Sequence, residues 1–366
     1  MKLLLFSDLH LDTHFQWASR DLARARRQAL RDTLLRITRL AAAHKVDALL
    51  CAGDLYEHER FSPDTARFLR DTFAEVELPV YLAPGNHDWY GQDSLYQQVD
   101  WTPNVHVFTD DTLTPVRLAD GVTLWGAAHR APANTDGFLD HFAVDGPGVH
   151  LALFHGSETA AMGFQESGKA PHAPFTAEQI EVAGIHHAFV GHFHTPRDAA
   201  RHTYPGNPDP LSFGESGNRA AVLCTVRADG TVDRVRHPVS VSQVHDLSVD
   251  IGGVIHSGQV RERVAAAVAG FGGTVRVTLH GDVDPGVDIR LADLDELAPH
   301  LDMLVPRLGA VGVAYDFTVL EQERTVRGQF VRDVRAAEDL DEETRRRVLI
   351  TGLRALDSRT AELDVR

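Results

Sequence analysis

The sequence is short of cysteine, of long apolar runs and of positive charge. Two of its 366 residues are cysteines, Cys51 and Cys224. Both lie in apolar runs, which argues against a disulfide framework and for a reducing, cytoplasmic setting. No apolar run much exceeds a strand in length, so no membrane-spanning helix is expected. Met1-Lys2 leads through Leu3-Leu4-Leu5-Phe6 to Ser7-Asp8, turning polar too soon for a secretory leader. Acidic residues number 52 and basic ones 36, a formal charge of -16. Non-specific DNA affinity rests mainly on Lys and Arg neutralising phosphates. That balance excludes a surface coated in basic residues, and leaves a local basic stripe or bound cations as ways to hold a phosphate. Internal repeats and low-complexity tails are also missing.

Histidine, by contrast, is abundant at 21 residues, and several stand where an apolar run stops. Val80-Tyr81-Leu82-Ala83 reads as a buried strand that ends at Pro84-Gly85 and is followed by Asn86-His87-Asp88. Strand ends are where open α/β sheets place their chemistry. Leu3–Phe6 is a first buried strand, ending in Ser7-Asp8-Leu9-His10. In extended backbone, residues i and i+2 share a face, so Asp8 and His10 are expected to converge on one ion. A helix over 19–45 follows, with Leu30, Leu34, Ile37 and Ala41 on one face and arginines on the other. Asp47–Ala52 is a second strand, closed by Gly53-Asp54. Ser62 caps a helix that has Pro63 at its first position.

Short strands are expected at 105–108, 115–118 and 122–125, the last leading to His129 and Arg130 as site neighbours. The run 148–154 ends in His155-Gly156. A long Gly- and Ala-rich loop with Lys169 then borders a cleft. A helix over 176–183 precedes His187–Gly191, after which come His192-Phe193-His194. Residues 220–226 and 232–239 form a hairpin around Asp229-Gly230. The remaining histidines read as surface or satisfied groups, with His14 and His58 set apart because their loops lie just beyond the motifs.

Asp8, His10, Asp54, Asn86, His87, His155, His192 and His194 thus leave five strands in one sense. Carboxylate, amide and imidazole are donors that hold divalent transition metals, and one carboxylate can bridge two ions about 3.5–4 Å apart. This ordered set, over residues 1 to about 240, resembles the calcineurin-like metallophosphoesterase superfamily. The resemblance implies an α/β fold, a four-layer αββα sandwich. It implies two divalent ions, manganese first and magnesium as the alternative. Asp8, His10, Asp54 and His194 would hold one ion; Asp54 as bridge, with Asn86, His155 and His192, would hold the other. His87 would stand unligated beside the leaving group, with Asp88 orienting its ring.

Within that superfamily the chain looks like the SbcD-type bacterial DNA double-strand-break repair nucleases. The Ser7–His10 and Gly53–Tyr56 motifs carry the likeness, together with Tyr204-Pro205-Gly206-Asn207-Pro208 and Phe213-Gly214-Glu215. Asn207 stands where that family has serine. A composition shift near Ser242 divides the chain, and the resemblance makes residues 1–242 a nuclease domain, 243–320 a smaller α/β capping, DNA-binding domain, and 321–366 a linker with a C-terminal helix. In the second domain strands are expected at 244–251, 274–280 and 311–320, with helices at 258–271 and 293–308. A polar linker over 321–328 and a helix capped by Asp339 and ending near Leu356 complete the chain. The implied partners are DNA, a second copy of the chain and an SbcC-type ATPase on the tail helix, with no membrane. The competing readings are a small-molecule phosphodiesterase or phosphomonoesterase on the same core, and a non-catalytic, metal-stabilised scaffold.

Overall fold

A computed structural model describes residues 1–132, 137–165 and 171–357; Lys169 lies outside them. The chain divides into two compact units, Met1–Gln243 and a second beginning at Val244.

The first unit opens with β1 (Lys2–Phe6), α1 (Arg20–His44), β2 (Ala48–Cys51), α2 (Pro63–Ala74), β3 (Val80–Leu82), α3 (Leu95–Gln98) and β4 (Val105–Val107). β1 to β4 run parallel as neighbours. The helices start where capping chemistry predicts: Ser19 accepts from the Leu22 N–H and Ser62 from the Thr65 N–H, with Pro63 at the first turn. A second sheet is built from β5 (Thr114–Ala119), β6 (Val122–Gly126), β7 (Val149–His155), α4 (Met162–Gln165), α5 (Ala177–Val182), β8 (His187–Gly191), β9 (Arg197–Asp198) and β10 (His202–Tyr204). The chain then returns to the first sheet as the antiparallel hairpin β11 (Ala220–Val226) and β12 (Val232–Pro238). The two six-stranded orders are β12-β11-β1-β2-β3-β4 and β5-β6-β7-β8-β10-β9.

Strand alternation explains the layering. Leu4, Phe6, Leu49, Cys51 and Leu82 face α1 and α2, packing on Leu30, Leu34, Ile37, Leu69 and Phe73. Leu3, Leu5, Leu50 and Tyr81 point the other way, against Leu124, Leu151, Leu153 and Phe189 of the second sheet. The far face of that sheet buries Ala152, Phe154, Ala188 and Val190 with Phe175 and Ile180. The result is helix, sheet, sheet, helix. Strands buried on both faces need continuous apolar runs, which is why these strands are legible from sequence.

In the second unit, β13 (Val244–Asp250), α6 (Ser257–Val268), β14 (Thr274–Val283) and β15 (Met303–Val313) form a three-stranded parallel sheet, with β14 in the centre. The helix expected over 293–308 is instead two 3₁₀ turns, Leu291–Asp293 and Asp295–Leu297, followed by β15. Pro306 lies inside the expected helix, where its missing N–H breaks the ladder; on an edge strand that loss is tolerated. Of the expected strand over 311–320 only 311–313 is strand, as the end of β15, and the rest of it and the linker expected over 321–328 give way to helix. α7 (Phe317–Gln322) and α8 (Val326–Ala336) occupy that stretch, capped by Asp316 and Thr325. The last helix, α9 (Glu342–Leu356), is capped by Asp341 rather than Asp339. Its apolar stripe, Leu349, Ile350 and Leu353, is buried with Val331 of α8 and with Val313, Tyr315 and Leu320, whereas Leu356 is exposed.

Candidate metal centre

β1, β2 and β3 of one sheet and β7 and β8 of the other bring their C-terminal ends to one site. Asp8 and His10 follow β1, Asp54 follows β2, and Asn86 follows β3. His155 closes β7, and His192 and His194 follow β8. The extended i, i+2 geometry expected for Asp8 and His10 is not what joins them. Their φ values are 54° and 51°, Asp54 has 51° and His192 107°. Four non-glycine residues at positive φ cost of order 1 kcal/mol or more each. The cost is met by fixed backbone bonds, Asp8 N–H to Gly53 O at 2.9 Å and His10 N–H to Asp54 O at 2.9 Å. Two glycines allow the close approach. A Cβ on Gly53 would lie 2.5 Å from His155 Nδ1, and one on Gly85 would collide with Asp54 Oδ1.

The donor atoms converge. Asp54 Oδ2 lies 3.5 Å from His10 Nε2 and 3.3 Å from His155 Nε2. Asp8 Oδ1 is 4.0 Å from His194 Nε2. Asn86 Oδ1 and His192 Nδ1 stand 3.1 and 3.3 Å from His155 Nε2. Asp8, His10 and His194 form one group of ligand atoms within 4.8 Å of one another, and Asp8, Asp54 and His155 form another. Asp54 is buried; burial opposes its ionisation, but His155 and His10 hold its carboxyl well below the usual range. Burial likewise disfavours charge on His155, and Asp54 overrides it, raising the imidazole to about 9. The buried carboxylates therefore demand positive charge, from a proton or from a cation.

The imidazoles are aimed by partners on Nδ1. His10 donates to Glu57 Oε1 at 2.8 Å, His155 to the Ala52 carbonyl at 2.8 Å, and His194 to Glu215 Oε1 at 2.9 Å. Such outer partners fix the tautomer and leave Nε2 as the ligand atom. Glu57 and Glu215 were not among the sequence-derived site residues. Only the Phe213-Gly214-Glu215 segment signalled one of them. The hydrogen bond from His194, against burial, brings Glu215 down to about 2.

His87 sits at the rim, its side chain 48% exposed, with Nδ1 3.1 Å from Glu57 Oε2. That hydrogen bond, with Asp54 and Asp88 nearby and against burial, raises it to about 9. Asp88 does not take the expected place against the His87 ring. It is fully buried and accepts the N–H groups of Asp54 (3.1 Å), Leu55 (2.7 Å) and Gly85 (2.6 Å), and the Tyr96 hydroxyl (2.5 Å). Buried loop donors need an acceptor, so Asp88 braces two motif loops and Glu57 takes the histidine. Burial, then Asp54, raises Asp88 to about 6.

His129 is buried behind His155, with Nε2 2.9 Å from the His155 carbonyl, and burial lowers it to about 4. Arg130 points outward over the Tyr90 ring. His58 stacks on Trp89, and His14 is exposed.

The residues fit divalent cations. His10 Nε2 is buried without a hydrogen-bond partner among the described residues. His155 Nε2, with the ring proton on Nδ1 and given to the Ala52 carbonyl, faces a carboxylate oxygen, an amide oxygen and an imidazole nitrogen. Lone pairs crowd together in this way around a cation.

The calcineurin-like phosphoesterase family model matches residues 1–196. The chain belongs to that family of metal-dependent phosphoester hydrolases, which typically bind two divalent metals. Among solved structures it is similar to a protein of Thermus thermophilus, at 15% identity over 64% of this chain and 98% of that one, with a TM-score of 0.38. It is also similar to a dimetal phosphatase from Danio rerio, at 12% identity over 66% and 99%, with a TM-score of 0.37. Among the described residues no helix is long and apolar enough to cross a membrane.

Proposed function

We propose that the chain is a two-metal-dependent nuclease that hydrolyses phosphodiester bonds of DNA, of the SbcD repair type. The observation that carries the reading is the ring of Asp8, His10, Asp54, Asn86, His155, His192 and His194 with His87 left exposed at its edge. Two bound divalent cations, manganese on this reading, would supply charge neutralisation on the phosphate and a lowered pKa for the attacking water. Asp54, within 3.5 Å of His10 Nε2 and 3.3 Å of His155 Nε2, would be the ligand shared between the two ions. Glu57, Glu215 and the Ala52 carbonyl hold three imidazoles with Nε2 turned inward. His87, fixed through Nδ1, presents its other nitrogen at the rim and donates a proton to the departing oxygen.

The unit from Val244 onward supports a large substrate, since a compact esterase on this core does not need it. We assign residues 243–320 to DNA capping and 321–366 to linkage and docking of an SbcC-type ATPase, in a homodimer that uses α1 or α2. A second reading, a small-molecule phosphodiesterase, draws on the charge of -16. It also draws on the pairing of Arg276 with Asp246 and of Arg307 with Thr278, which occupies cations on the small sheet.

The test is incubation with manganese of linear duplex DNA, single-stranded DNA and bis-p-nitrophenyl phosphate, with His87→Ala alongside. DNA degradation lost in the variant, with manganese still bound, is the expected result. Turnover of the ester with DNA untouched would move the second reading to first place. Hydrolysis of neither would leave a metal-stabilised scaffold.

A further inference from the structure

The chain has four tryptophans. Three spend the indole N–H inside the protein: Trp17 on the Leu211 carbonyl (3.1 Å), Trp101 on the Tyr96 carbonyl (3.0 Å) and Trp125 on His150 Nδ1 (3.2 Å). Trp89 makes no such bond among the described residues. It is partly buried, as the other three are, and its ring stacks on His58 with centroids 3.8 Å apart and planes at 28°. His58 in turn donates its backbone N–H to the His87 carbonyl at 2.9 Å, and Trp89 lies two residues beyond His87. The stacked pair is therefore anchored on both sides to the backbone of the rim histidine. The next residue, Tyr90, is pinned by its N–H to the His129 carbonyl at 2.8 Å. Large aromatic residues are normally well covered, with their polar atoms paired. Of the four indoles, this one alone leaves its donor unspent among the described residues, on a segment whose backbone is tied to the rim histidine.

We propose that Trp89, backed by His58, is a stacking platform for the aromatic ring on the leaving-group side of the scissile phosphodiester, a nucleobase in DNA or an aryl group in a synthetic ester. The inference rests on the phosphodiesterase reading above and adds the substrate feature that the site recognises. Stacking uses the π-face that every base has, so the platform selects for the presence of a base and not for its identity. The contact is the same before and in the transition state, and such uniform binding acts on KM and leaves kcat alone.

The test compares wild type, Trp89→Ala and Trp89→Phe with manganese on three substrates. They are a single-stranded oligonucleotide, the same oligonucleotide with an abasic residue at the leaving side of the cut, and bis-p-nitrophenyl phosphate. Trp89→Ala is expected to raise KM about tenfold on the base-bearing oligonucleotide and on the aryl ester, with kcat within about twofold. Trp89→Phe should recover most of the loss. On the abasic oligonucleotide, wild type and Trp89→Ala should share one KM. Manganese binding, followed by calorimetry, should be the same in all three proteins.

Equal KM on the base-bearing oligonucleotide, or an equal rise with and without the base, would overturn the platform while leaving the nuclease reading intact. Loss of manganese binding in Trp89→Ala would also overturn it, making Trp89 a support of the loop. If DNA is untouched but Trp89→Ala still raises KM for the aryl ester, the platform stands and the nuclease reading falls. Turnover of neither substrate by the wild type removes both.

Discussion

His155 Nε2 stands 3.3 Å from Asp54 Oδ2, and this contact helps to join the two sheets at the edge that carries the site. Asp54 leaves β2 of the first sheet and His155 ends β7 of the second. Because Asp54 also lies 3.5 Å from His10, its loss should affect both groups of ligands. Asp54→Asn is expected to lower phosphodiesterase activity about a thousandfold, matching the several kcal/mol a catalytic metal supplies. Manganese stoichiometry should fall in parallel, and isothermal titration of the purified variant reads it directly.

Glu57 and Glu215 make a different prediction, because neither carboxylate need touch a cation for its loss to be felt. Glu57→Gln and Glu215→Gln keep the shape but weaken the acceptors on Nδ1 of His10 and His194. Each should reduce manganese affinity about 10–100-fold, the usual effect of removing an outer partner. A calorimetric affinity indistinguishable from wild type in both variants would rule out this aiming role.

Asp88 and His87 are neighbours in sequence with opposite expected behaviour. Asp88 accepts three loop N–H groups and the Tyr96 hydroxyl. Asp88→Ala orphans those buried donors and should cost about 3–5 kcal/mol of stability. His87→Ala, at a half-exposed position, should stay within about 0.5 kcal/mol. Urea unfolding of the two variants separates the roles; equal stability losses would contradict them.

A pH effect is expected away from the metal centre. His187 begins β8, buried, with Nε2 2.9 Å from Thr203 Oγ1. Burial, helped by the charge of Arg234, lowers it from 6.5 to about 3. The unfolded chain therefore binds a proton that the folded one refuses. The stabilisation is fully present above pH 6.5 and is lost as pH falls from there toward 3. The slope is about 1.4 kcal/mol per pH unit. His187→Gln, which retains an amide for Thr203, should show a shallower fall of unfolding free energy between about pH 6.5 and 4.5. Parallel curves for variant and wild type would assign the acid sensitivity elsewhere.

The parallel strands of the first unit were legible because burial on both faces demands unbroken apolar runs, and each run stops at the polar motif it delivers. Asp8, His10, Asp54, Asn86, His87, His155, His192 and His194 could be collected from those stops, and the family resemblance supplied which of them would hold metal. The C-terminal third was harder. The apolar residues between Leu294 and Leu308 suit a helix by spacing, and only strand pairing with β14 decided for β15, with Pro306 as the overlooked warning. The start of α7 was read as the end of an apolar strand, and α8 was missed because its polar face masks a narrow stripe that is buried only with Leu349, Ile350 and Leu353. The partners of the imidazoles are decided in three dimensions. Glu57 lies 47 residues from His10 and Glu215 21 residues from His194, and no local pattern marks a carboxylate as the acceptor of a distant Nδ1. Nor could spacing show that Asp88 would turn away from His87. Its neighbours' backbone N–H groups needed an acceptor, and that need arises only when the loops after β2 and β3 are folded against each other.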